Sequence, residues 1–76
     1  MRIEWTPAAR ASARRLMADQ SAMSQIAAAV SALANDPNPP EAFIRGAYRR
    51  LKVGSYRVVY VLEGDVITIE RVDQAL

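Results

Sequence analysis

Tyr48-Arg49-Arg50-Leu51-Lys52-Val53-Gly54-Ser55-Tyr56-Arg57-Val58-Val59-Tyr60 sets two runs of alternating side chains on either side of a Gly-Ser pair. Period-two alternation rich in β-branched and aromatic residues reads as strand. Gly54-Ser55 suits a two-residue hairpin turn whose first position needs a positive φ. Such a turn sets Val53 opposite Tyr56, Lys52 opposite Arg57, Leu51 opposite Val58 and Arg50 opposite Val59. Successive side chains point to opposite faces. Leu51, Val53, Tyr56, Val58 and Tyr60 therefore share one face, and Arg50, Lys52, Arg57, Val59 and Val61 the other. A second turn at Gly64-Asp65 places Leu62 opposite Ile67 and Tyr60 opposite Ile69 on the apolar face. It adds Thr68, Glu70 and Val72 to the basic face and leaves Arg71 pointing to the apolar side. The two turns agree on which face is core.

Working outward, strands are expected at Tyr48–Val53, Tyr56–Leu62 and Val66–Val72. Arg2-Ile3-Glu4-Trp5 alternates as a short strand with Ile3 and Trp5 inward. Thr6-Pro7 reads as a helix start, with threonine capping and proline at the first helical position. Ala9, Ala13, Leu16 and Met17 then recur at helical spacing, and this helix is expected to end near Asp19-Gln20. A second helix, from about Ser21 to Asn35, carries Met23, Ile26, Ala27, Val30, Leu33 and Ala34 on one stripe. Asn35-Asp36-Pro37 stops it, because the residue before proline is pushed out of the α region. Pro39-Pro40 makes a stiff crossover within a single domain spanning 1–76. The expected fold is α+β, in the order β-α-α-β-β-β: an antiparallel-rich sheet with a helical hairpin on one face.

The chain has 76 residues, a formal net charge of +2 and 51% hydrophobic residues. A domain of this size buries only about 60% of its unfolded surface, so its stability margin is thin. The stretch Arg45 to Arg57 holds five of the ten Lys and Arg residues and no acidic one. A localised basic patch of this kind fits a polyanion. Lys52 and Arg57, directly opposed, would bring like charges to about 5 Å at Cβ. An anion bound between them relieves the repulsion, and Glu70 is expected to offset part of it in the free state.

Much chemistry is excluded. With no His and no Cys there is no His-based triad or acid–base pair, no thiolate nucleophile, no His or thiolate metal site and no disulfide. Three glycines, Gly46, Gly54 and Gly64, make no nucleotide-binding loop. No cofactor or metal is expected. Trp5, Phe43, Tyr56 and Tyr60 read as core, whereas Tyr48, at the start of the basic strand, is kept as a base-stacking candidate. No apolar run approaches the roughly 20 residues of a membrane span, and a cytoplasmic location is expected. What remains is metal-independent phosphoryl chemistry. Arginine holds phosphate bidentately and is a poor base. Lysine can give up its proton among neighbouring cations, which makes Lys52 the candidate base.

The block from Tyr48 to Tyr60 resembles the RelE/ParE toxins of type II toxin–antitoxin systems. Members often show an arginine-rich strand followed by Val-Gly-Asp-Tyr-Arg-Val-Val-Tyr. Trp5-Thr6-Pro7-Ala8-Ala9, Leu33-Ala34-Asn35-Asp36-Pro37 and Val66-Ile67-Thr68-Ile69 fit as well, so the resemblance covers nearly the whole chain. It implies a ribosome-dependent mRNA endoribonuclease that inhibits translation, the favoured branch. The alternatives are a ParE-like inhibitor of DNA gyrase and a toxin-fold module that mainly binds its antitoxin. By the same resemblance Arg50, Lys52 and Arg57 are catalytic and a cognate antitoxin is a partner, while Arg45, Tyr48 and Arg49, read from the basic stretch itself, are expected to bind RNA or phosphate. Active RelE-like nucleases usually carry a further basic residue and an aromatic or His after the last strand. Val72-Asp73-Gln74-Ala75-Leu76 offers neither.

Overall fold

The Gly54-Ser55 hairpin forms with the register its sequence dictates. β3 (Tyr48–Val53) and β4 (Tyr56–Glu63) pair antiparallel, with Val53 opposite Tyr56, Lys52 opposite Arg57, Leu51 opposite Val58 and Arg50 opposite Val59. Gly54 has φ +59°, the left-handed conformation expected at the first turn position. The computed structural model describes residues 1–16 and 18–75. Met17, expected on the first helix's apolar stripe, lies outside the described residues, as does Leu76.

Around this hairpin the remaining elements are β1 (Arg2–Trp5), α1 (Pro7–Arg15), α2 (Gln20–Leu33), β2 (Phe43–Arg45) and β5 (Val66–Gln74). The sheet order is β1-β5-β4-β3-β2, and β1 runs parallel to β5 while the other pairs are antiparallel. The expected α+β architecture stands, with one strand more than the sequence reading counted. The missed strand, β2, has three residues, all exposed. It turns into β3 through Gly46-Ala47, again with positive φ at the glycine (+61°), so the signal was the same Gly-X turn read twice elsewhere.

One face of the sheet is the core. Leu51, Val58, Tyr60, Ile67, Ile69 and Val72 meet Ala9 of α1 and Ile26, Val30 and Leu33 of α2 there, with Ile3, Trp5, Val53, Tyr56 and Leu62 packed around them. Burying each large aliphatic or aromatic side chain contributes about 1.5–3 kcal/mol. Ala27, expected on this stripe, is exposed, and Met23 is half-buried.

α1 begins at Thr6, whose side chain accepts from the Ala9 amide at 3.0 Å, with Pro7 in the first helical turn. It ends at Arg15, earlier than expected, with Leu16 as its cap. The reason is Asp19, which opens the next helix instead of closing this one: its carboxylate accepts from the Ala22 amide at 3.0 Å. α2 correspondingly runs Gln20–Leu33 rather than from Ser21 to Asn35.

The largest departure from the sequence reading lies in β5. Leu62 faces Ile67 and Tyr60 faces Ile69 as expected, but the register then shifts by one residue: Val59 pairs with Arg71, Val58 with Val72 and Arg57 with Asp73. Glu70 is the extra residue of a β-bulge. Val72 consequently turns into the core, 3% exposed, instead of joining the basic face. Arg71 leaves the apolar side for the solvent. The bulge is fastened from α1. Thr6 Oγ1 donates to the Glu70 carbonyl at 2.9 Å, and the Val72 amide donates to the buried Ser12 hydroxyl at 3.1 Å, which itself donates to the Ala9 carbonyl at 2.9 Å.

Stripping that acceptor leaves a buried amide unpaired. Ser12→Ala is therefore expected to cost about 1–3 kcal/mol, read as a lower urea midpoint with an unchanged m-value. Thr6→Val, which loses both the cap and the Glu70 bond, should cost a similar amount.

Candidate phosphate-binding face

Opposite the helices, alternation along three adjacent strands collects cations. Arg50 and Lys52 come from β3, Arg57 from β4 and Arg71 from β5. Lys52 and Arg57 are direct cross-strand partners. Arg50 and Arg71 flank Val59 from either side. Val59 is only 2% exposed although it lies on the face away from the helices. The aliphatic stems of flanking arginines are long enough to cover such a residue.

Asp73 organises two of these cations. Arg57 Nε donates to its Oδ1 and Arg71 Nε to its Oδ2, each at 3.0 Å. Burial pushes the Asp73 carboxyl up, but the hydrogen bonds and charges of Arg71 and Arg57 together outweigh it and hold the group below its ordinary value. The offset to the cationic cluster was expected from Glu70. The bulge gives that part to Asp73 instead.

Arg50, Lys52 and Arg57 line a single cleft of about 300 Å³, together with Glu41, Phe43 and Ala75. The other three expected site residues lie outside its lining. Arg45 is exposed on β2, opposite Tyr48, and Tyr48 is half-buried opposite Val61. Both have the parity of Arg50, at the far end of the strand from Lys52. Arg49 has the opposite parity: its Nε donates to Asn38 Oδ1 at 3.0 Å and its Nη1 to the Gly46 carbonyl. Its guanidinium is thus committed to bracing a loop.

Sequence reasoning missed Arg71, Glu41 and Phe43. Arg71 could not be found, because a bulge is decided by packing. Phe43 was read as core, and the structure corrects this: it is 48% exposed, because its pairing with Arg50 on the edge strand turns it to the face away from the helices. The Arg50 guanidinium carbon sits 4.9 Å from its ring centroid, within cation–π range. Among the described residues, no group of three or more His, Cys, Asp or Glu is placed to hold a metal ion. What the face offers chemically is concentrated, partly ordered positive charge with an aromatic ring at its edge.

The fold is similar to that of several solved toxin structures. It superposes on the YoeB/ParE toxin from Agrobacterium tumefaciens with a TM-score of 0.84 at 14% identity, covering 100% of both chains. With the intact E. coli RelBE toxin–antitoxin complex the score is 0.83 at 20% identity, over 99% of this chain and 96% of the other. With the chromosomal ParDE system of P. aeruginosa it is 0.77 at 19% identity, over 100% and 97%. No curated protein sequence matches the chain. The family model for the ParE toxin of type II toxin–antitoxin systems, parDE, matches residues 3–75. The chain belongs to this toxin family.

Because its folded pKa is lowered, Asp73 contributes stability that is complete above the ordinary carboxylate value near 3.9. That contribution is lost as pH falls through the lower folded value. Asp73→Asn should cost about 1 kcal/mol at neutral pH, and the gap from wild type should close on acidification below about pH 4, measured by urea unfolding across pH.

Proposed function

We propose that this toxin is a metal-independent endoribonuclease acting on ribosome-bound mRNA through the cleft formed by Arg50, Lys52 and Arg57. The observation that carries this reading is the convergence of those three side chains, from two adjacent strands, on one cleft. The scissile phosphate sits over the Lys52–Arg57 pair. Arg57, anchored through Nε to Asp73, grips the phosphate with its terminal nitrogens. Lys52, exposed on its strand, takes the proton of the 2′-hydroxyl. That oxygen attacks phosphorus, the bond to the 5′-oxygen breaks, and the leaving oxygen takes a proton from solvent water, so that a 2′,3′-cyclic phosphate and a 5′-hydroxyl result. Arg50 and Arg71 neutralise charge as it builds on the phosphoryl oxygens. The likeness in fold to the RelE–RelB complex of Pyrococcus horikoshii OT3 and to YafQ from E. coli is compatible with this reading.

A second reading, inhibition of DNA gyrase, draws support from the matching family being that of parDE toxins. Under either reading the partner in the resting state is a cognate antitoxin in the cytoplasm, its acidic segment laid on the cationic face. Several of the similar structures are toxin–antitoxin complexes.

The test is expression of wild type, Lys52→Ala and Arg57→Ala without any partner, with mRNA ends mapped and purified protein added to programmed ribosomes. Wild type should arrest growth and cut mRNA. Arg57→Ala should lower cleavage by about a hundredfold or more, and Lys52→Ala should do likewise. Intact mRNA under conditions where a control nuclease cuts would sink the nuclease reading. Gyrase-cleaved DNA accumulating beside untouched mRNA would select the second.

A further inference from the structure

We infer that Phe43 is a stacking platform for an unpaired nucleobase, so that the cleft binds one nucleotide of a single-stranded oligonucleotide by its phosphate and its base together. The inference rests on the phosphate-binding reading of the Lys52–Arg57 end and adds the base-binding half of the site.

Three observations carry it. Phe43 keeps 48% of its surface in solvent, at the edge of the sheet, where burial could not be the reason for an aromatic ring. It lines the same cleft as Arg50, Lys52 and Arg57. Its ring is already held by the Arg50 guanidinium at 4.9 Å from the centroid. An arginine plane over an aromatic ring is the start of a stack that a base extends.

Charge fixes the direction in which the nucleotide lies. Glu41, two residues before Phe43, also lines the cleft and repels phosphate. The phosphate therefore goes to Lys52 and Arg57, and the base to Phe43. Duplex bases stay stacked on one another, so the occupant is single-stranded. The cleft, at about 300 Å³, lies at the lower end of the range for small-ligand sites.

The segment bearing Glu41 and Phe43 is built to stay in place. Tyr60, 0% exposed, donates from its hydroxyl to the Pro37 carbonyl at 2.8 Å. Arg49 holds Asn38 and the Gly46 carbonyl from the other end. The platform is thus tied to the core, not carried on a free loop.

The experiment is fluorescence anisotropy with a short 2′-O-methyl oligoribonucleotide, which cannot be cut, and the same oligomer with abasic positions. It is run across salt concentrations on wild type, Phe43→Ala, Phe43→Trp and Lys52→Ala, each checked for a native melting transition. Phe43→Ala should bind the base-bearing oligomer about tenfold or more weaker, with an unchanged salt slope. Phe43→Trp should restore binding. Wild type and Phe43→Ala should bind the abasic oligomer alike. Lys52→Ala should instead lower the salt slope by about one. Equal binding of the base-bearing oligomer by wild type and Phe43→Ala overturns the inference while leaving the phosphate reading intact. A Lys52→Ala salt slope equal to wild type overturns the phosphate reading instead. Loss of affinity for an acidic peptide in Phe43→Ala, with oligonucleotide binding unaffected, assigns the ring to a protein interface and overturns it too.

Discussion

A single extra residue in the last strand governs how this molecule presents its charge. Side-chain direction in a strand has period two, so one inserted residue reverses every side chain beyond it. Without Glu70 as the bulge, Arg71 and Asp73 would point into the apolar layer and Val72 into solvent. With it, Val72 completes the core, 3% exposed, while Arg71 and Asp73 reach the open face. A bulge disrupts the ladder locally, and unpaired backbone groups in a buried place cost about 1–3 kcal/mol each. Thr6 and Ser12 of the first helix region take the Glu70 carbonyl and the Val72 amide. The helix that seals the core is thus the element that aims a cation on the opposite side of the sheet.

The charges so gathered are not balanced where the backbone brings them together. Lys52 and Arg57 stand opposite one another. Asp73 forms ion pairs with Arg57 and Arg71, and Glu41 lines the cleft beside Arg50, Lys52 and Arg57. One carboxylate between two arginines leaves net positive charge beside a concave, partly desolvated cleft, where attraction for a phosphate exceeds that on an open surface. Asp73 also restrains the two side chains, so less rotamer freedom is lost when an anion binds.

A second brace joins the core to the rim. Tyr60 lies fully buried with its hydroxyl donating to Pro37, and burial together with its acidic neighbours keeps its pKa raised despite Arg49, so it remains a donor. Arg49, on the helix side of β3 by alternation, fastens the same loop from Asn38. These contacts explain how a proline-rich crossover without regular structure can hold Glu41 and Phe43 over the sheet. They also explain why an arginine inside the basic run takes no place in the cleft.

The chain of residues by itself determined the two hairpins, the core face from Leu51 to Ile69, the threonine-proline helix start and the cross-strand meeting of Lys52 with Arg57. All of these follow from local rules: period-two alternation, glycine at a left-handed turn position and a capping hydroxyl. The third hairpin was legible in Arg45-Gly46-Ala47-Tyr48 by the same rule. The face of Phe43 follows from that turn, since it pairs with Arg50; tertiary structure alone decided what lies after Ile69. A bulge forms only where a neighbouring element supplies partners for the displaced backbone, and Ser12 lies 60 residues from Val72.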